Sequence, residues 1–143
     1  MSRLKLDLPS AFSFSVSLPL RISDINYNDH LGNDAVLRLV HEARMQMFNA
    51  HGWTELNVDG VGIIMADAAI VFKSEGFYGD VIRIQIAVQE ITSAGCDLFY
   101  LLTNEKSGKE LARVKTGIVF FDYKARKIVA VPGAFREAFV GRG

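Results

Sequence analysis

The chain has 143 residues, with Lys+Arg and Asp+Glu both at 16 and a formal net charge of zero. This length suits a single domain over residues 1–143 with a real hydrophobic core, and the even charge balance argues against nucleic-acid binding, which shows as a basic bias. One cysteine excludes an internal disulfide and fits a reducing, cytoplasmic setting; no apolar run approaches the roughly 20 residues of a membrane span.

Residues 1–10 read as a loose lead-in. From Phe12 the alternation is strict, with Phe12, Phe14, Val16, Leu18, Leu20 and Ile22 set against Ser13, Ser15, Ser17, Pro19 and Arg21. This is a period-two strand, and Pro19, lacking an N–H, places it at a sheet edge or a bulge. The next stretch packs Asp24, Asn26, Asn28, Asp29, His30, Asn33 and Asp34 into one short loop. A helix follows: Val36, Leu39, Val40, Ala43, Met47 and Ala50 form one apolar stripe, Asn33 or Asp34 can cap its start, and Gly52 suits the residue past its end. The polar loop therefore ends on a helix N-terminus, where free N–H groups and the helix dipole favour negative charge, a developing oxyanion included.

Residues 54–61 read as a loop. Residues 62–73 form an apolar, β-branched run interrupted only by Asp67, whose carboxylate reads first as a structural group hydrogen-bonded to a neighbour and second as a buried pocket carboxylate, with a pKa raised towards the range of a general base. Residues 75–79 read as a turn. Strands are predicted over 80–91, with Ile82, Ile84, Ile86 and Val88 inward, and over 96–104 and 110–122, the last with Ala112, Val114, Thr116, Ile118 and Phe120 on one face. Pro132 opens a short C-terminal helix over about 132–140. The expected architecture is α+β: a core over about 12–123, with a curved antiparallel sheet of about five strands wrapped around one long central helix, the last four strands joined as a meander.

The element order and the loop from Asp24 to Asn33 resemble the hotdog-fold thioesterases, in particular the 4-hydroxybenzoyl-CoA thioesterase-like branch, with a likeness to the plant acyl-carrier-protein thioesterases. That family's loop runs D-x-D-x-x-G-H-V-x-N, followed by a helix carrying E-x-A-R. Here Asp24, His30, Leu31 and Asn33 stand at the same spacing, followed by Glu42, Ala43 and Arg44. Phe77-Tyr78-Gly79-Asp80 and Phe120-Phe121-Asp122 also match, so the likeness covers roughly residues 15–123. Two positions depart from it. The family's second aspartate, its usual nucleophile or base, falls on Asn26, and its glycine before the histidine falls on Asp29. A neutral amide neither accepts a proton nor attacks a thioester as a carboxylate does.

The resemblance implies an acyl-thioester hydrolase acting on acyl-CoA or an acyl-carrier thioester, working as a homodimer or homotetramer, with coenzyme A present only as part of the substrate and no other cofactor. It points to Asn26 and His30 as groups that position thioester or water, Asn33 as the oxyanion donor and Asp24 as the loop's first aspartate. With Asn26 in place of the usual carboxylate, Asp24, Asp29, His30, Asp67 and Glu75 are the groups that could take the proton of water, and Asp67 is the expected one because its own sequence places it in an apolar strand. Asn28 and Glu75 match polar positions of the plant branch. Lys73, Arg113 and Lys115 are candidates for CoA phosphate contacts. Glu42 and Arg44 read first as a structural ion-pair set. His30, His41 and His51 show no metal-ligand spacing with Cys or carboxylates, so no metal is expected. Two further readings stay open: a non-catalytic acyl-CoA-binding protein, and an enoyl-CoA hydratase, whose D-x-N-P-x-H signature is matched here only by Asp24 and Asn26.

Overall fold

The computed structural model describes residues 3–139; the first two residues of the expected lead-in, and Val140 of the expected C-terminal helix, lie outside the described residues. The element order is β1 (Phe14–Pro19), a 3-10 turn (Ile22–Asp24), α1 (Asn33–Ala50), β2 (Gly62–Phe72), β3 (Val81–Gln89), β4 (Gly95–Asn104), β5 (Glu110–Asp122), β6 (Lys127–Ile128) and α2 (Gly133–Phe139). The strands form one antiparallel sheet in the order β1-β3-β4-β5-β2, with β6 added against the end of β5. β1 is an edge strand, as Pro19 requires: its partner is β3, with Pro19 opposite Val81.

The expected meander holds only for β3, β4 and β5. β2 does not pair with β3; it crosses to the far side of β5. The connection over residues 73–80 is thus a crossover along the end of the sheet. It is held by main-chain bonds: Leu31 N–H donates to Gly76 O at 2.7 Å, Lys73 N–H to Leu111 O at 2.8 Å, and Gly79 N–H to Leu20 O at 3.2 Å. Gly76 suits this route, because a Cβ there would lie 3.0 Å from Leu20, 3.1 Å from Leu111 and 3.4 Å from Leu31, so those side chains would have to give way.

The inward residues are those that the two periodicities select. Ile82, Ile84, Ile86, Leu98, Tyr100, Leu102, Val114 and Phe120 meet Ala35, Val36, Leu39, Val40, Ala43, Met47 and Phe48 of the 18-residue α1 in one apolar cluster. Two helix positions differ from the predicted stripe. Ala50 is exposed, while Arg44 is buried. Arg44 pairs with Glu55 of the following loop through Nε–Oε2 at 2.6 Å, not with Glu42, and its Nη1 donates to the Tyr100 hydroxyl at 3.0 Å. Tyr100 in turn bonds Thr116 Oγ1 at 2.8 Å. A buried cation is tolerated because a carboxylate and a hydroxyl receive its protons. α2 closes one end of the core, with the Phe135 ring 5.0 Å from that of Phe120 and 4.8 Å from that of Phe139. Among the described residues no helix is long and apolar enough to cross a membrane.

Candidate active site

The loop before α1 is a compact, self-bonded turn. Asn26 N–H donates to His30 O at 2.9 Å and Asp29 N–H to Asn26 O at 3.1 Å, while Asn28 N–H donates to the Asn26 side-chain oxygen at 2.9 Å. The last bond is an Asx turn, in which the side-chain amide holds the backbone two residues on. Asp29 sits at φ 64°. This left-handed conformation is natural for glycine and tolerated by aspartate, which explains how Asp29 occupies the place where the resembling family has glycine. Asp24 is buried beneath the turn; its carboxylate accepts from Arg21 N–H at 2.8 Å and its carbonyl from Gly32 N–H at 3.0 Å.

The helix start corrects one expectation. Gly32 is the N-cap residue, and neither Asn33 nor Asp34 supplies a side-chain cap bond. Asp34 Oδ1 lies so close over Gly32 that a Cβ there would be 2.7 Å from it, and its other oxygen lies 3.3 Å from Arg38 Nη1. The first-turn N–H groups are therefore left without a side-chain cap, which is the condition for receiving an external anion.

A cavity of about 250 Å³ opens at this helix end, lined by His30, Asn33, Lys73, Ser74 and Glu75 among its polar residues. Leu31, Val36, Phe72, Leu111 and Ala112 supply its apolar wall. Four of the predicted site residues, His30, Asn33, Lys73 and Glu75, thus come together, brought by α1 on one side and by the crossover on the other. His30 Nδ1 lies 3.2 Å from Leu31 O. A carbonyl only accepts, so this bond selects the tautomer with the proton on Nδ1 and leaves Nε2 as a lone-pair acceptor. Ser74, which sequence reasoning passed over, donates its hydroxyl to Glu110 O at 2.6 Å and pins the crossover to β5. Its signal was present only as a polar residue beside two charged ones.

The remaining predicted residues stand elsewhere. Asn26 and Asn28 belong to the turn behind His30. Asp67 is not the buried carboxylate expected from its apolar run. A β-bulge between Met65 and Asp67 turns it to the other face of the sheet, where 62% of its side chain is exposed. It accepts from Lys115 Nζ at 2.7 Å and from Gly117 N–H at 2.9 Å, and the hydrogen bond from Lys115 holds its carboxyl below the usual carboxylate range. Lys115 also lies 3.4 Å from Asp97, so its charge is shared between two carboxylates. Arg113 is paired with Glu110 and donates to Leu6 O at 3.0 Å.

Comparison with known proteins gives these features a context. Residues 20–139 match the thioesterase-like superfamily. Among solved structures, the chain is similar to a 1,4-dihydroxy-2-naphthoyl-CoA thioesterase from Synechocystis, with 18% identity, 90% of this chain and 96% of that chain covered, and a TM-score of 0.82. A probable thioesterase from Escherichia coli is 20% identical over 87% of this chain and 94% of that one, at a TM-score of 0.70. A thioesterase-superfamily protein from Jannaschia is 15% identical over 93% and 84%, at 0.82. At these identities the structures establish a shared hotdog fold. No curated protein matches the sequence.

Proposed function

This chain belongs to the thioesterase-like superfamily, and we propose that it hydrolyses acyl-CoA thioesters at the cavity between His30 and Glu75. The observation that carries this reading is the convergence of an acceptor nitrogen, a carboxylate and an uncapped helix N-terminus on one partly apolar cavity. Water bound between His30 Nε2 and Glu75 attacks the thioester carbon and gives its proton to one of them. The carbonyl oxygen gains negative charge as the tetrahedral intermediate forms, and the N–H of Asn33 or a neighbour in the first helical turn receives it. Collapse of the intermediate breaks the C–S bond; the departing thiolate takes up a proton, leaving free CoA and a carboxylate. The apolar wall accepts the acyl chain.

The absence of the family's second aspartate shapes this assignment. Asn26 cannot act as base, and its side-chain oxygen already receives Asn28 N–H. It is a positioning residue that holds His30 through the main chain. Glu75 replaces Asp67 as the carboxylate in this reading, because Glu75 lines the cavity and Asp67 does not. Asp24 shapes the loop. The chain works as at least a homodimer in a cytoplasmic, reducing setting: β2 is an edge strand with no strand on its outer side, and Met65, Leu37 and Phe72 are exposed apolar residues on or beside it.

The test is free-thiol release across a panel of acyl-CoA substrates, with His30→Ala and Glu75→Gln compared against the native chain. At least one substrate is expected to turn over, and His30→Ala is expected to lower kcat about 10²- to 10⁴-fold. Thermal stabilisation by acyl-CoA with no thiol release anywhere in the panel would replace the hydrolase reading with the binding-only one, which the Asn26 substitution favours.

A further inference from the structure

The residues expected to form a loose lead-in do something specific. The segment from Arg3 to Asp7 lies as a strap beside the end of β2. Arg3 Nη2 donates to Phe72 O at 3.3 Å, and Arg113 Nη1 donates to Leu6 O at 3.0 Å. Between strap and sheet is a second cavity, of about 340 Å³, lined by Arg3, Lys5, Asp7, Val71, Lys73 and Arg113. Lys73 lines both this cavity and the one that holds His30 and Glu75, so the two open on either side of a single residue.

The charges here are unequal in availability. Arg113 is committed to Glu110, whose hydrogen bond raises the guanidinium's pKa, and Asp7 also faces it. Arg3, Lys5 and Lys73 carry no ion pair among the described residues, and all three are exposed. Counting Arg3, Lys5, Lys73 and Arg113 against Asp7 and Glu110, four cations face two carboxylates. We propose that the strap residues Arg3 and Lys5, together with Lys73, bind the phosphate-bearing nucleotide end of coenzyme A, so that the N-terminal segment makes this chain prefer a CoA thioester over one lacking the nucleotide. Guanidinium and ammonium groups are the side chains suited to phosphate oxygens, and an open mouth lets the nucleotide stay partly hydrated. Lys115, a candidate from sequence, has no part in this site, since Asp67 and Asp97 already hold it.

The inference rests on the acyl-thioester reading, but its test separates the two. In the full chain, Arg3→Glu and Lys5→Glu are combined, with the charge-neutral Arg3→Gln/Lys5→Gln pair as a second variant and thermal unfolding as a check on folding. CoA binding is measured by calorimetry, and hydrolysis is measured with an acyl-CoA and with the matching S-acyl-pantetheine, which lacks the nucleotide phosphates. The charge-reversed variant is expected to weaken CoA binding and raise KM for acyl-CoA roughly ten-fold, with kcat unchanged and S-acyl-pantetheine hydrolysis unaffected; the neutral pair falls between it and the native chain. Equal CoA binding by native and charge-reversed chains would overturn the inference, as would no CoA binding by the native chain or an equal loss on both substrates. Loss of CoA binding in the variant from a native chain that hydrolyses nothing would leave this inference standing and overturn the hydrolase reading alone.

Discussion

Replacing Glu55 by glutamine tests the account of the buried charge. In the native chain the Arg44 side chain is 6% exposed and that of Glu55 22%, with Nε and Oε2 2.6 Å apart. Removing one partner of a fully buried pair costs about 3–5 kcal/mol, because the other charge is left without compensation. Two features lower that figure here: Glu55 is partly hydrated, and glutamine keeps an oxygen for the guanidinium. The lost bond to His41, whose side chain is 55% exposed, adds little. The expected loss is therefore about 2–3 kcal/mol, or a fall in Tm of roughly 7–10 °C for a domain of this size. Arg44→Met removes the buried charge itself and is expected to cost less, about 1–2 kcal/mol, since Tyr100 keeps Thr116 and Glu55 keeps His41. Adding Glu55→Gln to Arg44→Met is expected to change little more, which gives a coupling of about 2 kcal/mol in the double-mutant cycle. Urea unfolding at one fixed protein concentration supplies these values. A Glu55→Gln midpoint within about 0.5 kcal/mol of the native one would refute the reasoning, because the guanidinium would then be neutralised by something other than Glu55.

Three more outcomes follow from particular contacts. Gly95→Ala is expected to cost about 3 kcal/mol or more in urea unfolding, since a Cβ there would stand 2.2 Å from Ile118 O in the paired strand; an unchanged midpoint would show that β4 and β5 part easily. Cys96 is buried, and desolvation pushes its thiol up to about 12, so the folded chain is expected to resist a thiol reagent near neutral pH and to react on unfolding; rapid labelling of the native chain would contradict this. Asp67→Asn is expected to leave thiol release unchanged. Because the folded carboxyl titrates below its ordinary value, its contribution is present above the unfolded pKa and lost as pH falls through the folded one; with the side chain mostly in water that contribution is within about 0.5 kcal/mol, and a ten-fold fall in kcat would restore Asp67 as a catalytic candidate.

Much of the fold was legible because burial obeys period. The alternation of residues 82–88 and 112–120 marks inward faces that the structure buries, and the apolar stripe of α1 needed only Arg44 and Ala50 corrected. Pairing order was not legible, because a short polar connection has the same composition whether it makes a hairpin or a crossover; the contacts that hold this one, Leu31 N–H to Gly76 O and Lys73 N–H to Leu111 O among them, are tertiary. The exposure of Asp67 was not legible for a related reason, although its reading as a carboxylate hydrogen-bonded to a neighbour agrees with its bonds to Lys115 and Gly117. An acid inside an apolar run reads as buried, but one bulged residue reverses which face it takes. His30, Asn33, Lys73 and Glu75 were identifiable from loop chemistry and family likeness, while the strap of Arg3 and Lys5 carried no periodic signal at all.

The two ends of the sheet differ in what they permit. β1 presents six residues, the last of them Pro19 without an N–H to donate, whereas β2 presents eleven. A fibre built by strand addition needs two competent edges on every copy, one to receive and one to extend. Here each edge is blunted at an end: Pro19 has no N–H to give on β1, and on β2 Ile63 N–H is already given to Glu55 O while Phe72 O accepts from Arg3. Such blunting shortens the ladder that another copy can add, which matters in a chain whose net charge of zero provides no repulsion between copies.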